Sequence, residues 1–404
     1  MSTPSPTPRR SLPRSVWALG LVSLCMDMSS EMIHGLLPVF LVGTLGVSAF
    51  TLGLIEGIAE ATASISKIFS GVLSDRLGKR KPLILLGYGM AALSKPLFPL
   101  ATSAFTVFVA RFVDRIGKGI RGAPRDALVA DVTPPEQRGA AYGLRQSMDT
   151  VGAFAGPLIA IGLMVGLAFD IRQVFWIACI PALITVVVLF FGVTEPADVP
   201  KLPSARNPFA GFRASDYSRQ FWALVGLVLL FTLMRFSEAF LVLRAQSAGL
   251  STMWIPMTLV VMSATYLVTA YPAGWLSDRM SRHTLLALGC AVMLVADGLL
   301  AFGHSLAAVM AGIAAWGVHM GLTEGLIAAL TADYAGKQLR GTAFGIINLA
   351  RGVMALIASA LAGGLWSIYG PTATFGAGAV LAVLSGLLAL ALRSGPSPPA
   401  ASAG

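Results

Sequence analysis

The chain has 404 residues, of which 56% are hydrophobic and only 12% are charged, and its mean hydropathy is +0.77. A soluble domain of this length does not need so many apolar residues to fill its core, so the composition excludes an ordinary soluble protein and indicates a membrane protein. The net charge of +10 does not indicate a nucleic-acid partner, because no extramembrane domain is predicted that could carry a basic binding surface.

Twelve apolar segments predict twelve transmembrane helices in an all-α fold. Most of these segments reach the ~18–20 residues that a helix needs to cross a bilayer. They do not alternate apolar and polar residues as the strands of a membrane barrel do, which favours helices. The predicted spans cover residues 15–44, 50–73, 82–101, 105–125, 139–167, 173–194, 220–243, 254–276, 284–303, 306–328, 341–368 and 372–393.

Repeated motifs predict two related bundles of six helices. GVLSDR at 71–76 returns as GWLSDR at 274–279, and RGAAYG at 138–143 returns as RGTAFG at 340–345. A duplicated six-helix unit places a cavity where the two halves meet, near the middle of the membrane. The predicted organisation is a cytoplasmic tail at 1–14, a bundle at 15–194, a cytoplasmic linker at 195–219, a second bundle at 220–393 and a cytoplasmic tail at 394–404.

The basic residues predict the orientation of these bundles. Lys and Arg are concentrated in the tails, the linker and the loops on one side of the spans, whereas the opposite loops contain only Arg172 and Arg244. Basic loops remain in the cytoplasm, so both termini and the linker are predicted to lie there. Because one chain already closes the cavity, we expect a monomer in the lipid bilayer.

The segment GVLSDRLGKRK, residues 71–81, joins spans 2 and 3. Its cations hold the loop at the cytoplasmic face, and Asp75 can accept hydrogen bonds from amides at a neighbouring helix start. The segment resembles the signature G-x-x-x-D-R-x-G-R-R of the major facilitator superfamily. The matching residues are Gly71, Asp75, Arg76, Gly78, Lys79 and Arg80.

Two further segments resemble elements of that superfamily. GAFAGP at 152–157 is similar to the G-x-x-x-G-P motif of proton-driven antiporters, and RIGKG at 115–119 is similar to the R-x-x-x-G element of helix 4. The resemblance implies a multi-pass transporter of the cell inner (plasma) membrane, with a small-molecule substrate and protons as partners and no cofactor. The expected gating residues are Gly71, Asp75, Arg76, Gly78, Arg80, Asp126, Asp131, Gly152, Gly156, Pro157, Asp278 and Arg279.

Charged residues inside the predicted spans are numerous and balanced, with nine acids and nine bases. An unpaired charge at the centre of a membrane helix costs about 2.5–3.5 kcal/mol, so the balance favours ion pairs between spans. Asp27, Glu31 and His34 share one face of span 1, and a pair of acids can hold one proton between them. The predicted proton-coupling residues are Asp27, Glu31, Glu56, Glu60 and Asp149.

The predicted cavity combines basic, acidic and aromatic side chains. Arg111, Arg115 and Lys118 follow helical spacing on span 4 and must face protein or water rather than lipid. The superfamily resemblance implies that helices 1, 7 and 10 line the cavity, and on span 10 one face carries several polar residues. The predicted substrate-cavity residues are His34, Arg111, Arg115, Lys118, Arg235, Glu238, Trp316, His319, Thr323 and Glu324.

These features predict a secondary active transporter that works by alternating access, as a proton-coupled antiporter exporting a small amphipathic or charged molecule. In this scheme Arg115 and Lys118 exchange carboxylate partners during the cycle, and Asp126 and Asp131 belong to the inner gate. An enzyme is not predicted, because the sequence has neither a G-x-S-x-G nucleophile elbow nor an H-E-x-x-H motif.

Three alternatives remain open at this point. Asp27, Glu31, His34 and Glu60 offer oxygen and nitrogen ligands, which could make the protein an exporter of a divalent metal or a metal chelate. The basic residues could instead serve uptake of an anionic metabolite. A membrane receptor that does not transport is the alternative from a different class.

Overall fold

The structure, a computed structural model, describes residues 12–77, 79–195, 213–277, 279–335 and 339–393. The regular secondary structure of these residues is entirely helical. We label the long helices α1 to α12 in chain order. They are Arg14–His34, Ala49–Leu77, Lys81–Ser94, Ala104–Asp131, Arg138–Gly166, Ile171–Gly192, Arg219–Met234, Met257–Ser277, Arg282–Phe302, Leu306–Tyr334, Arg340–Tyr369 and Pro371–Arg393.

Three of the predicted spans contain a break that their runs of apolar residues do not show. Short helical segments follow α1, α3 and α7 at Leu37–Thr44, Leu97–Leu100 and Ala239–Ser247. Pro38 and Pro96 lie at the start of the segments that follow the first two breaks. Proline lacks the backbone N–H that a continuing helix needs, so a helix tends to end just before it. The third break covers residues 235–238, so Arg235 and Glu238 lie between two helical segments instead of inside one continuous helix.

Local hydrogen bonds fix where several helices begin. Ser103, Ser218, Ser281 and Ser305 each accept a hydrogen bond from a backbone N–H three residues later. Such N-caps stabilise a helix start by about 1 kcal/mol each. At its other end α4 continues to Asp131, beyond the predicted end at 125, so both Asp126 and Asp131 lie on a helix.

Ten helical segments among the described residues are long and apolar enough to cross a membrane. The two long helices outside this set, α2 and α4, have 29 and 28 residues, which exceeds the ~20 needed for a span. They fall outside the set because of their composition and not their length, since α2 and α4 carry many of the charged residues of the first half. Gly119 of α4 packs closely against Ser66 of α2, so the two helices support each other.

The G-x-x-x-G-P segment of α5 packs directly on the backbone of α1. A Cβ atom added to Gly156 would lie 2.6 Å from the Met28 carbonyl oxygen, and one added to Gly152 would overlap the carbonyl of Leu24. Small residues four apart let two membrane helices approach this closely. Pro157 follows inside the same helix. The predicted gating motif thus has a direct packing role within the first half.

The two halves meet along α2 and α11 at a line of small residues, which we call the glycine seam: Gly53, Gly57, Gly352 and Gly363. Gly53 lies against the backbone of Ser359, and Gly352 lies against Ser64. At one end of the seam the Phe50 amide donates a hydrogen bond of 3.1 Å to Ser367 Oγ. Helix backbones from different halves are therefore in contact with few long side chains between them.

Candidate functional site

A cavity of about 590 Å³ lies between the two halves and is lined by α1, α2, α4 and α5 on one side and by α7, the break after it, α10 and α11 on the other. All five predicted proton-coupling residues line it, as do six predicted cavity residues. These are Asp27, Glu31, Glu56, Glu60 and Asp149, together with His34, Arg115, Lys118, Arg235, Glu238 and Trp316. Four cations that were not predicted as cavity residues also line it: Lys67, Arg121, Arg125 and Arg351.

His34 connects two glutamates at one end of the cavity. Its Nδ1 lies 3.6 Å from Glu31 Oε2, and its Nε2 lies 3.5 Å from Glu56 Oε2. Glu56 also accepts two hydrogen bonds from Arg111, at 3.1 and 2.5 Å. Arg111 is not among the residues that line the cavity. It was predicted to face the substrate, but in this structure it lies behind the wall, where it holds the buried Glu56.

A second chain of charges connects the cavity to the packed interior of the first half. Arg115 lies 3.2 Å from Glu60 and 3.7 Å from Asp114, measured between side-chain nitrogen and oxygen atoms. Asp114 is paired with Lys95 at 3.0 Å, and both side chains are almost fully buried. The charge balance of the spans indicated such pairs, whereas the partner of each residue depends on how α2, α3 and α4 pack.

Two aspartates from different helices meet on the cavity wall. Asp27 on α1 and Asp149 on α5 both line the cavity, each within one helical turn of the close contact between Leu24 and Gly152, and their carboxyl groups are near enough to interact. Arg125 and Arg145 each approach Asp149 to 3.8 Å. Two neighbouring carboxyl groups favour a shared proton, since two carboxylates repel each other. We call Asp27 and Asp149 the carboxyl pair.

Three cations that line the cavity form no ion pair within 4.0 Å with any described acid: Lys67, Lys118 and Arg121. We call them the positive cluster. The side chain of Lys67 lies over Gly122 of α4, one helical turn from Lys118. Arg121 lies on the adjoining face of the same helix. The expected exchange of partners by Lys118 is untested, because in this structure Lys118 has no carboxylate within ion-pair distance among the described residues.

In the second half one glutamate joins two arginines. Glu324 lies 2.9 Å from Arg235 and 3.4 Å from Arg351, again between side-chain nitrogen and oxygen atoms. Both arginines line the cavity, while Glu324 is not among the lining residues. Glu238 lines the cavity at the break after α7 and has no cation within 4.0 Å among the described residues.

The expectation that His319 and Thr323 line the cavity is not met. Both side chains are fully buried, and His319 Nδ1 lies 2.8 Å from the Gly289 carbonyl oxygen of α9. The imidazole also stacks on Phe231. The reason is the rotation of α10, which turns these positions toward α9 while Trp316 reaches the cavity. Helical spacing predicted that the three residues share one face, but it could not show which side of that face meets the cavity and which side meets α9.

The predicted gating residues between α2 and α3 and at the end of α4 lie at the end of the first half where α3 begins. Arg80 Nε donates a hydrogen bond of 3.1 Å to Asp131, and Arg80 Nη1 donates one of 2.7 Å to Ser74. Asp126 is contacted by Arg125 at 3.3 Å. Gly71 packs near Ala123 of α4. The side chains of Asp75 and Arg76 and the whole of Gly78 and Asp278 lie outside the described residues, whereas Arg279 lies over the Trp275 ring at 3.5 Å.

Glu195, which was not predicted as a site residue, connects the end of α6 to the start of α3. Its carboxylate accepts hydrogen bonds from the backbone amides of Arg80 and Lys81 at the start of α3. The Lys81 ammonium in turn donates to the carbonyls of Phe190 and Val193, at 2.8 and 2.7 Å. The end of α6 is thereby fixed to the start of α3. A lone glutamate at the start of a polar linker carries no local signal of this contact.

Similarity to known proteins extends over the whole chain. The family model described as Major Facilitator Superfamily matches residues 19–359 and 255–404. An uncharacterized MFS-type transporter of Methanocaldococcus jannaschii is 32% identical over 389 residues, which cover 94% of this chain and 95% of that protein. The multidrug resistance protein MdtH of Yersinia pestis is 30% identical over 154 residues, or 38% of this chain and 37% of that protein. Among solved structures, a peptide transporter named POT shares the fold with a TM-score of 0.80 at 15% identity, covering 96% of each chain.

Proposed function

This chain belongs to the major facilitator superfamily of membrane transporters, and from that membership we propose that it is a proton-coupled antiporter that exports a small amphipathic or charged molecule. Export is supported by the partial similarity to a protein named for multidrug resistance. In this proposal one chain forms the complete transporter in the plasma membrane.

We propose that all twelve long helices cross the membrane and that both termini lie in the cytoplasm. Ten segments have the length and hydropathy of a span, and α2 and α4 have the length. The charged residues of α2 and α4 pair with each other, as in Glu56 with Arg111 and Glu60 with Arg115, so these helices need not expose charge to lipid. The distribution of Lys and Arg supports the orientation.

With this proposed orientation, we infer that the cavity opens toward the cytoplasm. α2 begins at Ala49 on the outer side, and the glycine seam runs from there to Gly352 near the level of Ser64. The cavity continues past the seam toward Lys67 and Asp126, which are nearer to the cytoplasmic ends of α2 and α4. Opening the seam and closing the opposite end would give the outward-facing state.

The observation that carries the proton-coupling proposal is the carboxyl pair on the cavity wall. Loss of its proton leaves two carboxylates in contact, and their repulsion is relieved only if a cation moves between them. Arg125 and Arg145 are already 3.8 Å from Asp149, while Lys118 and Arg121 line the same cavity from α4. A positively charged group of the substrate could take the place of the proton, which makes substrate and proton mutually exclusive.

The alternatives receive less support from the cavity. Among the described residues, no group of three or more His, Cys, Asp or Glu side chains is arranged to hold a metal ion. The alternative of a metal exporter therefore has no set of metal ligands to support it. Seven acids and seven Lys or Arg residues line the cavity, so its lining has no excess of positive charge for a simple anion. Membership of a transporter family favours transport over a receptor role.

The test uses everted membrane vesicles with an imposed pH gradient. A candidate substrate is first found by untargeted comparison of metabolites in cells that lack or overproduce the protein. Adding that compound to vesicles with the wild-type protein is expected to collapse the gradient, whereas Asp27→Asn and Asp149→Asn abolish the response. Asp216→Asn, which changes an exposed carboxylate outside the cavity, serves as the control. Uptake of the compound without any change in the gradient would refute proton coupling.

A further inference from the structure

The cavity presents charges of both signs that lack a partner, and they lie close to each other. The positive cluster has no described acid within 4.0 Å, and Asp27 has no described cation within that distance. Lys118 and Arg121 on α4 nevertheless line the same cavity as Asp27. The gap between them is wider than an ion pair, so each side remains available to a ligand.

The positive cluster has the features of a binding group for an anion. The side chains of Lys67 and Lys118 are exposed toward the cavity. Arg121 is only 5% exposed, and its Nη1 has no hydrogen-bond partner among the described residues. Its guanidinium lies 4.4 Å from the centre of the Tyr88 ring, which holds it in place without using its N–H donors. A buried guanidinium nitrogen without an acceptor is costly unless a ligand supplies one.

The carboxyl pair offers the complementary group for a cation. An ammonium that enters between Asp27 and Asp149 can donate to both carboxylates, and it releases the proton that they shared. The total charge of the lining, with seven acids and seven Lys or Arg residues, suits a ligand without net charge. A simple anion would meet the carboxylates, and a simple cation would meet the positive cluster.

We propose that the substrate is a zwitterion that carries an ammonium and a carboxylate. Its ammonium binds the carboxyl pair, and its carboxylate binds Lys118, Arg121 and Lys67. Its apolar part packs on the second half, where Phe231, Phe236 and Trp316 line the cavity. The inference rests on the proposed function for one step only, in which the ammonium replaces the proton.

The experiment compares three probes that share a phenyl ring: phenylalanine, phenethylamine and 3-phenylpropionate. Thermal unfolding of the purified full chain is followed in detergent, without any pH gradient and at constant ionic strength. A ligand that binds only the folded protein raises its melting temperature with concentration. Phenylalanine is expected to cause a larger rise than either singly charged analogue.

Two substitutions should each remove one half of the preference. In Lys118→Gln the rise with phenylalanine should fall to that with phenethylamine, and in Asp27→Asn it should fall to that with 3-phenylpropionate. Lys67→Gln is the second variant of the positive cluster. Because Lys67 and Lys118 have no described ion-pair partner, these two changes leave no buried carboxylate without its cation. Asp216→Asn is the control and should behave as the wild type.

The proposal is overturned if either singly charged probe stabilises the protein as much as phenylalanine, or if none of the three stabilises it. It is also overturned if Lys118→Gln and Lys67→Gln fold and keep the full preference for phenylalanine. These results do not depend on a gradient. If the rank order holds while Asp27→Asn vesicles keep a proton response, proton coupling through the carboxyl pair is wrong and the substrate class stands. If instead the rank order fails while Asp27→Asn vesicles lose the proton response, the zwitterion proposal is wrong and proton coupling through the carboxyl pair stands.

Discussion

The close approach of α5 to α1 allows a quantitative prediction for Gly156→Ala. The added Cβ would lie 2.6 Å from the Met28 carbonyl oxygen and 3.0 Å from Glu31 Cβ, whereas ordinary contact begins at 3.4 Å. The two helices must therefore separate by about 0.8 Å at this level. The neighbours cannot simply rotate away, because the nearest atom belongs to the backbone of α1.

Insertion of one carbon into a closely packed site usually costs about 1–3 kcal/mol. The change from glycine to alanine also favours a helix by about 0.5–1 kcal/mol. Gly162→Ala is the matched control, because Gly162 lies on the same helix and its added Cβ would meet no atom within 4 Å. The gain in helix propensity is common to both variants, so their free energies of unfolding should differ by the packing cost of about 1–3 kcal/mol.

The assay is reversible unfolding of both variants in the same detergent, with the wild type alongside. Gly162→Ala should equal or exceed the wild type in stability, and Gly156→Ala should fall below it. Because the carboxyl pair joins the same two helices, Gly156→Ala should also weaken the proton response in vesicles. Equal stability of the two alanine variants would refute the packing argument, since it would mean that α1 and α5 have room to spare.

Three further predictions concern other parts of the molecule. Lys95→Met removes the nearest cation from the buried Asp114, which keeps only Arg115 at 3.7 Å, and should lower the free energy of unfolding by up to about 3–5 kcal/mol. Removing both charges by adding Asp114→Leu should restore part of this loss, and no recovery in the double variant would contradict an ion-pair origin. Gly53→Ala should disfavour the closed glycine seam, and labelling of a Ser367→Cys background by an impermeant maleimide from outside should increase; unchanged labelling would show that the seam is not the outer gate. His319→Phe should lower thermal stability but leave the substrate affinity within about twofold, because the imidazole is buried outside the cavity. Loss of binding in a folded variant would show that His319 takes part in the binding site.

The helices were predictable because their signals are local. A run of apolar residues and a polar turn identify a span wherever they occur, and ten segments have the predicted character. The break after Met234 was not predictable, since no proline or glycine marks it. The apolar pattern of residues 220–243 continues through it. At the break Arg235 pairs with Glu324 of α10, and the Ser237 amide donates a hydrogen bond to Ser359 Oγ of α11, and both contacts depend on the tertiary fold.

The charged site was predictable in kind but not in its pairs. Equal numbers of acids and bases in the spans indicated ion pairs, and the structure forms several of them. Which residue pairs with which depends on helix rotation and on contacts between α1, α2, α4 and α5. For this reason Arg111 was assigned to the cavity although it lies behind Glu56, and Lys67 and Arg121 were not assigned to it although they line the wall.

The glycine seam has an energetic consequence for a molecule that must open and close repeatedly. Since its central contacts join backbone to backbone, separating α2 from α11 withdraws few long side chains from their packing. Each such side chain would otherwise add several dispersion contacts to the cost of opening. The two conformations can therefore differ by a small free energy, and a ligand shifts such a balance by no more than its difference in affinity for the two states. In the proposed mechanism, a proton exchanged for a substrate at the carboxyl pair would then be sufficient to decide which side of the membrane the cavity faces.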